Sequence, residues 1–135
     1  MTKHRVFVYG TLKRGIHNHR LLEGSDYIGE AYTIDTFRMY TTGFPVIFHS
    51  EEPDAKAVFG EVYDVDDDTL KRLDQLEAEG SMYNREKVNV ICVDAGKIID
   101  ANVGIYVGNS KYWEKHNMPR YTEVNNHHEL VWRPM

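Results

Sequence analysis

A short apolar run that leads directly into a glycine-bounded loop is the feature that most constrains how this chain can fold. Val6-Phe7-Val8 is typical of a buried strand, and the loop after it carries Gly10 and Gly15. Glycine allows backbone N–H groups to approach a ligand closely and adopts the positive φ angles that aim several donors at one point. We therefore expect an anion-binding pocket at the end of the first strand.

Strand-like segments dominate the rest of the chain. They are rich in β-branched and aromatic residues and lie at residues 27–40, 46–48, 58–63 and 87–107. In the last of these, Asp94-Ala95-Gly96-Lys97 predicts a hairpin turn, and the alternation at 101–107 predicts a half-buried strand. We predict one domain over residues 1–135, of mixed α/β (α+β) class, with about six strands in a small mixed sheet or closed barrel and peripheral helices. Two-layer α+β packing is the alternative.

Composition and charge exclude several classes of partner. The 135 residues carry a net charge of −5, whereas nucleic-acid binding needs a basic surface. No apolar run approaches the roughly 18 residues of a membrane-spanning helix. Cys92 is the only cysteine and lies in an apolar run, so we expect a buried thiol and a reducing environment. These observations predict a cytoplasmic monomer that binds neither nucleic acid nor membranes.

The one strongly periodic helix directs a carboxylate toward the interior. Aspartates at 66–68 supply N-caps, and the leucines that follow at helical spacing are Leu70, Leu73 and Leu76. At about 100° per residue, Glu77 falls on the same side as these leucines, whereas Glu79 points to solvent. Burial and the negative end of the helix dipole both raise the pKa of such a carboxyl, which suits a proton shuttle near neutral pH. Alternatively, the helix ends before Glu77 and its side chain reaches solvent.

The other candidate ligands are explained without a metal. His17 and His19 form one His-x-His pair and His127-His128 another, but each pair lacks a third ligand nearby in sequence. The aspartates at 66–68 are accounted for as helix caps rather than as ligands of a hard cation. We therefore predict that the chain has no metal site.

Two groups of short motifs, taken in order, resemble the signatures of the γ-glutamylcyclotransferase-like family. The first is Phe7-Val8-Tyr9-Gly10-Thr11-Leu12-Lys13-Arg14-Gly15, followed by Asn18-His19-Arg20. The second is Gly60-Glu61-Val62-Tyr63, then Leu73-Asp74-Gln75-Leu76-Glu77, then Tyr83-Asn84-Arg85. The resemblance extends over residues 5–93 and is strongest to the γ-glutamylamine cyclotransferase branch.

The resemblance implies a β-barrel-like α/β fold and a cofactor-free reaction, in which a γ-glutamyl amide cyclises to 5-oxoproline and releases an amine. It assigns substrate binding to four residues after the first strand: Tyr9, Gly10, Thr11 and Leu12. It makes Glu77 the general base and acid, and the glycine usual after this glutamate in the family is Ala78 here. We expect Tyr83 to line the pocket, with an aromatic core position as the alternative.

Three functional hypotheses follow. The first is a cyclotransferase for a γ-glutamyl amine or amide, in which the substrate's own α-amine attacks and Glu77 moves the protons. The second is a module that binds γ-glutamyl or 5-oxoproline-type ligands without turnover. The third is the same chemistry on another small γ-glutamyl compound with a different leaving group. We expect residues 44–48 and the segment after Gly108 to shape the leaving-group side of the pocket.

Overall fold

A computed structural model describes residues 3–92, 97–98 and 103–134 of the chain. The strands in this part are β1 (Lys3–Val8), β2 (Asp26–Thr33), β3 (Phe37–Thr41), β4 (Pro45–His49), β5 (Phe59–Asp66), β6 (Tyr83–Val88), β7 (Val90–Cys92), β8 (Lys97–Ile98), β9 (Val103–Gly108) and β10 (Arg120–Tyr121). The helices are a 3-10 turn (His19–Leu22), α1 (Asp67–Leu76) and α2 (Ser110–Trp113). The expected turn at Asp94-Ala95-Gly96 lies outside the described residues, but β7 and β8 on either side of it pair antiparallel.

The strands form two sheets. The main sheet has seven strands in the order β6-β9-β1-β5-β2-β7-β8, and the small sheet has three in the order β10-β3-β4. Most neighbours in the main sheet are antiparallel, but β1 runs parallel to β9. The predicted mixed α+β fold with peripheral helices is confirmed. The strands outnumber the predicted six because several are only two or three residues long.

The first strand is buried because the main sheet is covered on both faces. Alternate side chains of a strand point to opposite faces. Val6 and Val8 pack in one cluster with Leu70 and Leu73 of α1. Phe7 packs in another, with Phe37 of the small sheet and Trp132. The loop that follows β1 therefore starts from the buried end of this strand.

The predicted half-buried character of the strand before residue 108 is wrong for the described part, since all six residues of β9 are buried. Neighbouring elements cover both of its faces. Ile105 and Val107 pack on one side in the cluster that contains Trp132, whereas Tyr106 packs on the other side in the cluster that contains Leu73 of α1. These contacts join segments far apart in sequence, so the local alternation did not reveal them. Ala101 and Asn102 lie outside the described residues.

Helix α1 begins as predicted, with the Asp66 carboxylate accepting a hydrogen bond from the Thr69 amide at 2.8 Å. Leu70 and Leu73 of this helix are buried. Leu76 is 40% exposed, so its predicted core position is wrong. The helix ends at this residue, and the space beside its last turn is open rather than filled by side chains.

Three further predictions concern the cysteine, membrane-spanning helices and metal ligands. Cys92 is a buried free thiol, as predicted. Within the described residues, no helix has the length and apolar character needed to cross a membrane. In the same part of the chain, no cluster of three or more His, Cys, Asp or Glu side chains is arranged to hold a metal ion.

Candidate active site

A cavity of about 230 Å³ opens where the loop after β1 meets the end of α1. All six residues selected from the sequence line it, namely Tyr9, Gly10, Thr11, Leu12, Glu77 and Tyr83. The structure thus brings together two segments that are more than sixty positions apart in the chain. The wall is mainly apolar and aromatic with a few polar groups, which is the usual composition of a small-molecule site.

The loop at residues 10–15 presents unpaired backbone donors to this cavity. Among the described residues, no carbonyl or side chain accepts a hydrogen bond from the amides of Gly10, Thr11 and Leu12. The carbonyl groups of Gly10 and Thr11 are occupied, because Lys13 donates to Gly10 and Asn18 donates to Thr11. Adjacent free N–H groups can bind a carboxylate or a developing oxyanion.

The two glycines of the loop serve different purposes. Gly15 has φ +84°, in the left-handed region that glycine adopts at little cost. Glycine is therefore favoured at this position because of its backbone conformation. Gly10 is needed because Pro45 packs against it, and a Cβ at Gly10 would lie 2.6 Å from Pro45 Cγ. This close approach brings the turn at residues 43–45 to the rim of the cavity.

Glu77 follows the last residue of α1 and lines the cavity. Its backbone is still close to helical, with φ −86° and ψ −1°, and its amide donates to the Leu73 carbonyl at 3.0 Å. The side chain therefore keeps the direction that helical periodicity predicts, although the helix itself ends one residue earlier. Glu79 is exposed, as predicted.

The Glu77 carboxyl is withdrawn from water without being paired. Burial raises its pKa to about 7, and no hydrogen bond or neighbouring cation in the described part of the chain offsets this effect. In that part of the chain, every fully buried side-chain oxygen has a hydrogen-bond partner. The Glu77 oxygens have none, so they are not fully buried and they reach the cavity. A carboxyl with this pKa exchanges protons readily near neutral pH.

Three tyrosines surround Glu77, and each donates its hydroxyl hydrogen bond to the protein. Tyr9 donates to the Tyr106 carbonyl, Tyr83 donates to the Pro45 carbonyl at 2.7 Å, and Tyr106 donates to Asp74 at 2.7 Å. Burial raises the pKa of Tyr9, with smaller contributions from Tyr83 and then from the Glu77 charge. Burial first, and then the Glu77 charge, raise the pKa of Tyr83. These neutral rings form a fixed wall around the Glu77 carboxyl.

Arg85 and Asp74 hold this wall in place from outside the cavity. Arg85 makes two hydrogen bonds to Asp74, at 2.9 and 3.1 Å, and Asp74 accepts the bond from Tyr106. Burial opposes ionisation of Asp74, but the hydrogen bonds from Arg85 and Tyr106 outweigh it and lower its pKa. The ionised pair ties the last turn of α1 to strands β6 and β9.

The family assignment rests on a sequence match that extends well beyond the residues of this cavity. A family model described as gamma-glutamyl cyclotransferase, AIG2-like, matches residues 6–128. The chain belongs to this family. The matched range includes every residue of the cavity described above.

Individual relatives agree with the assignment. A candidate gamma-glutamylcyclotransferase of Methanocaldococcus jannaschii is 41% identical over 102 residues, which cover 75% of this chain and 82% of that protein. The gamma-glutamylaminecyclotransferase of Bos taurus is 39% identical over 93 residues, covering 63% of this chain and 55% of that protein. The crystal structure of a mouse AIG2-like protein superposes with a TM-score of 0.75 at 26% identity, covering 100% of this chain and 98% of that one.

Sequence reasoning missed several wall residues of this family member. They are Phe7, Val8, His17, Asn18, Met82 and Tyr106, whereas Phe44 and Pro45 fall in the segment expected at the leaving-group side. The alternating pattern of β9 predicts which face of that strand Tyr106 lies on, but it does not identify β1 as the neighbouring strand. His17 is exposed and lies at the cavity rim.

The segment after Gly108 acts on the cavity indirectly. None of its described residues lines the wall, contrary to the expectation from sequence. Its Trp113 instead packs edge-on against Phe44 and Tyr83 and donates a hydrogen bond to the Met82 carbonyl at 2.9 Å. Trp113 therefore supports the three wall residues from behind.

Ala78 occupies the position where the family usually has glycine, and the backbone explains that preference. Its φ is +48°, in the left-handed region, and it closes α1 with two hydrogen bonds. The Glu79 amide donates to the Asp74 carbonyl at 2.9 Å, and the Ala78 amide donates to Gln75 at 3.2 Å. This is a Schellman motif with alanine at the usual glycine position. Alanine therefore forms the same helix-closing hydrogen bonds as glycine would, with strain at Ala78.

We expect Ala78→Gly to raise the free energy of unfolding by roughly 0.5–1 kcal/mol, because glycine avoids the Cβ strain of the left-handed conformation. Denaturant titration of the two proteins measures the difference. Ala55→Gly is the matched control, since Ala55 has no positive φ and glycine there only increases the entropy of the unfolded chain. A stability change of the same sign in both variants would contradict the strain at Ala78.

Proposed function

We propose that this protein is a cyclotransferase that converts a γ-glutamyl amine or amide to 5-oxoproline and a free amine. The observation that carries the proposal is a desolvated carboxyl, Glu77, facing the same cavity as the unpaired amides of residues 10–12. The family supports the general reaction. The amine-specific type is supported by the relative from Bos taurus, whose name states that activity.

The proposed role of the loop is to hold the substrate folded. Amides of Gly10, Thr11 and Leu12 bind the α-carboxylate or the oxygen of the γ-carbonyl, and the aromatic wall excludes water. The substrate's α-amine then lies against its own γ-carbonyl carbon. Because nucleophile and electrophile belong to one molecule, correct orientation alone supplies several kcal/mol of rate enhancement, with an upper range of about 7–11 kcal/mol.

Glu77 carries the protons in the proposed mechanism. Its carboxylate takes one proton from the α-ammonium, and the neutral amine attacks the γ-carbonyl carbon to form the ring C–N bond. The negative charge that develops on the carbonyl oxygen is stabilised by the loop amides. Glu77 returns its proton to the leaving nitrogen, and the old C–N bond breaks as the carbonyl re-forms. The ring nitrogen then loses its second proton through Glu77 to the departing amine, which leaves as an ammonium ion.

The test is to measure 5-oxoproline by mass spectrometry from a panel of γ-glutamyl amines and γ-glutamyl dipeptides. The panel includes γ-glutamyl-ε-lysine, and Glu77→Gln protein is the blank. We expect product from the wild-type enzyme only, with the order of rates identifying the preferred leaving amine. A folded wild-type protein that releases no product while binding 5-oxoproline in calorimetry would instead support the binding module.

We expect kcat/KM to fall about tenfold per pH unit below an apparent pKa near 7, because burial raises the pKa of Glu77 to about 7 and the base is its ionised form. Initial rates of 5-oxoproline release between pH 5 and 8 give the profile. Imidazoles as a class titrate in the same range, so His17→Asn, at the cavity rim, is the control. A flat profile, or an acid limb that disappears in His17→Asn, would contradict the assignment to Glu77.

We also propose that the protein acts as a cytoplasmic monomer on a small-molecule substrate. A single buried cysteine fits a reducing compartment, and a chain of net charge −5 fits neither nucleic acid nor an acidic membrane surface as a partner. Sedimentation analysis of the purified protein tests the monomer. A concentration-dependent mass at micromolar protein would overturn it.

A further inference from the structure

Glu61 is a buried carboxylate that the proposed mechanism does not use. It lies in β5, is 7% exposed, and is not part of the cavity wall. One of its oxygens, Oε1, accepts hydrogen bonds from the Arg14 amide at 3.0 Å and from the Tyr63 hydroxyl at 2.8 Å. Burying a carboxylate costs free energy unless hydrogen bonds and nearby cations compensate. Its partners therefore indicate what this residue is for.

The partner that matters is the backbone of the loop itself. Arg14 belongs to the glycine-bounded loop, and Glu61 pairs with Val8 at the end of β1, immediately before that loop begins. The hydrogen bond from the Arg14 amide thus closes the loop back onto the sheet. The Arg14 guanidinium lies 3.8 Å from the other oxygen of Glu61 and also stacks over Tyr27.

The remaining loop residues are fixed from other directions. Asn18 donates to Thr11 from both its backbone and its side chain, and a ring nitrogen of His19 lies 3.0 Å from the Leu12 carbonyl oxygen. The Lys13 ammonium donates to the Trp132 carbonyl at 2.7 Å, so this lysine is committed to the protein rather than to a ligand. These contacts anchor residues 11–13. The Arg14 amide is anchored instead by the buried carboxylate of Glu61, which belongs to the main sheet.

We propose that Glu61 is a positioning residue, which holds the free amides of residues 10–12 at the cavity by anchoring the Arg14 amide to the main sheet. The proposal rests on the cyclotransferase function proposed above, since it assigns those amides to substrate. It concerns acceptor geometry rather than charge, because both hydrogen bonds go to one oxygen that glutamine also possesses. Glutamine at this position should therefore preserve the loop, and leucine should not.

The experiment compares wild type, Glu61→Gln and Glu61→Leu. We expect Glu61→Leu to lower kcat/KM by about 10- to 100-fold, the loss typical of misplacing a binding group by about an ångström. Glu61→Gln should stay within about threefold of wild type, because both acceptor bonds remain. The acid limb near pH 7 should be unchanged in Glu61→Gln, which keeps the loop in place beside Glu77. Equal losses in Glu61→Gln and Glu61→Leu would overturn the proposal.

Glu129→Leu is the matched control for the loss of a buried carboxylate. Glu129 is also 7% exposed and outside the cavity wall, but its hydrogen-bond partner is Asn125 rather than the loop at residues 10–15. We expect this variant to lose stability while keeping wild-type kcat/KM at temperatures where it is folded. If Glu129→Leu lost as much kcat/KM as Glu61→Leu, the effect of Glu61 would be one of general stability, and the positioning role would be refuted.

A second pair of variants tests the loop bond without touching Glu61. Arg14→Pro removes the donor N–H, and Arg14→Ala keeps it while removing the exposed side chain. We expect a loss of kcat/KM in the proline variant only, and wild-type rates in both would overturn the proposal even if Glu61→Leu does not fold.

Amide hydrogen exchange separates failure of this proposal from failure of the proposed function. The Arg14 amide should be protected in wild type and Glu61→Gln, and should exchange at least about tenfold faster in Glu61→Leu. If wild type yields no 5-oxoproline, the cyclotransferase proposal fails, and the exchange rates still decide whether Glu61 anchors the loop. Unchanged exchange in Glu61→Leu would overturn the anchor whatever the activity.

Discussion

Glu77→Gln should abolish 5-oxoproline formation, with kcat reduced by about 10²–10⁴-fold, while the protein remains folded. Glutamine has nearly the same shape as glutamate but can neither take a proton from the α-ammonium nor return one to the leaving amine. The measurement is single-turnover product formation, monitored by mass spectrometry, at pH 8. Binding of 5-oxoproline should persist, because the loop amides of residues 10–12 are unaltered.

The same substitution should increase stability, which separates loss of function from loss of fold. The folded pKa of Glu77 is raised from its ordinary value of 4.5 to about 7, so the native state holds a proton that the unfolded chain releases between those pH values. Stability of the wild type therefore falls as pH rises from 4.5 to 7, and the cost persists above pH 7. Glutamine removes this cost, so the variant should gain stability relative to wild type across that window.

Glu79→Gln is the matched control, two positions further along the chain. Glu79 is exposed and accepts one hydrogen bond, from the Arg85 amide at 3.2 Å, which a glutamine oxygen can also accept. We expect wild-type rates and wild-type stability. Turnover by Glu77→Gln, or an equal loss of activity in Glu79→Gln, would refute the role assigned to Glu77.

Gly60→Ala should lower the free energy of unfolding by at least about 3 kcal/mol, a large part of the stability of a domain of this size. A Cβ at Gly60 would lie 2.3 Å from the Val8 carbonyl oxygen and 2.9 Å from the Phe7 ring. The first of these atoms is backbone of the neighbouring strand, so β1 and β5 would have to separate at the point where the glycine loop begins. Thermal or denaturant unfolding followed by circular dichroism measures the loss.

Gly104→Ala is the control, because Gly104 also lies in a strand that neighbours β1. Its Cβ would be 3.6 Å from the Arg85 side chain and 3.8 Å from the Arg5 carbonyl, which are ordinary contacts. Alanine also limits the unfolded chain more than glycine does, so this variant should be neutral or more stable by about 0.5 kcal/mol. Similar losses in both variants would contradict the close approach at Gly60.

The parts of the site that sequence predicts are those set by local rules. Strand–loop punctuation locates the free amides of residues 10–12, and helical periodicity gives the direction of Glu77 even beyond the end of α1. An isolated glycine within a strand is likewise a local sign of a close backbone approach, and Gly60 makes one with Val8.

The parts that sequence does not predict depend on contacts between distant segments. Tyr106 reaches the cavity because β9 pairs in parallel with β1, with Val6 opposite Gly104, and no local pattern specifies that register. Leu76 continues an apolar stripe, yet it is exposed because the helix ends there and the cavity begins. Ala78 has no local signal for its left-handed backbone, which the closing hydrogen bonds of α1 impose.

The parallel pairing of β1 with β9 determines when the cavity can exist during folding. The hydrogen bond from Tyr9 to Tyr106 joins residues 97 positions apart, so a very long loop must close before the two halves of the wall meet. Non-local pairings of this kind form late and slowly, after the local hairpins and helices. On the ribosome, residues 9–12 therefore precede their partners by nearly a hundred residues, and a nascent chain forms this cavity only once β9 has emerged and docked beside β1.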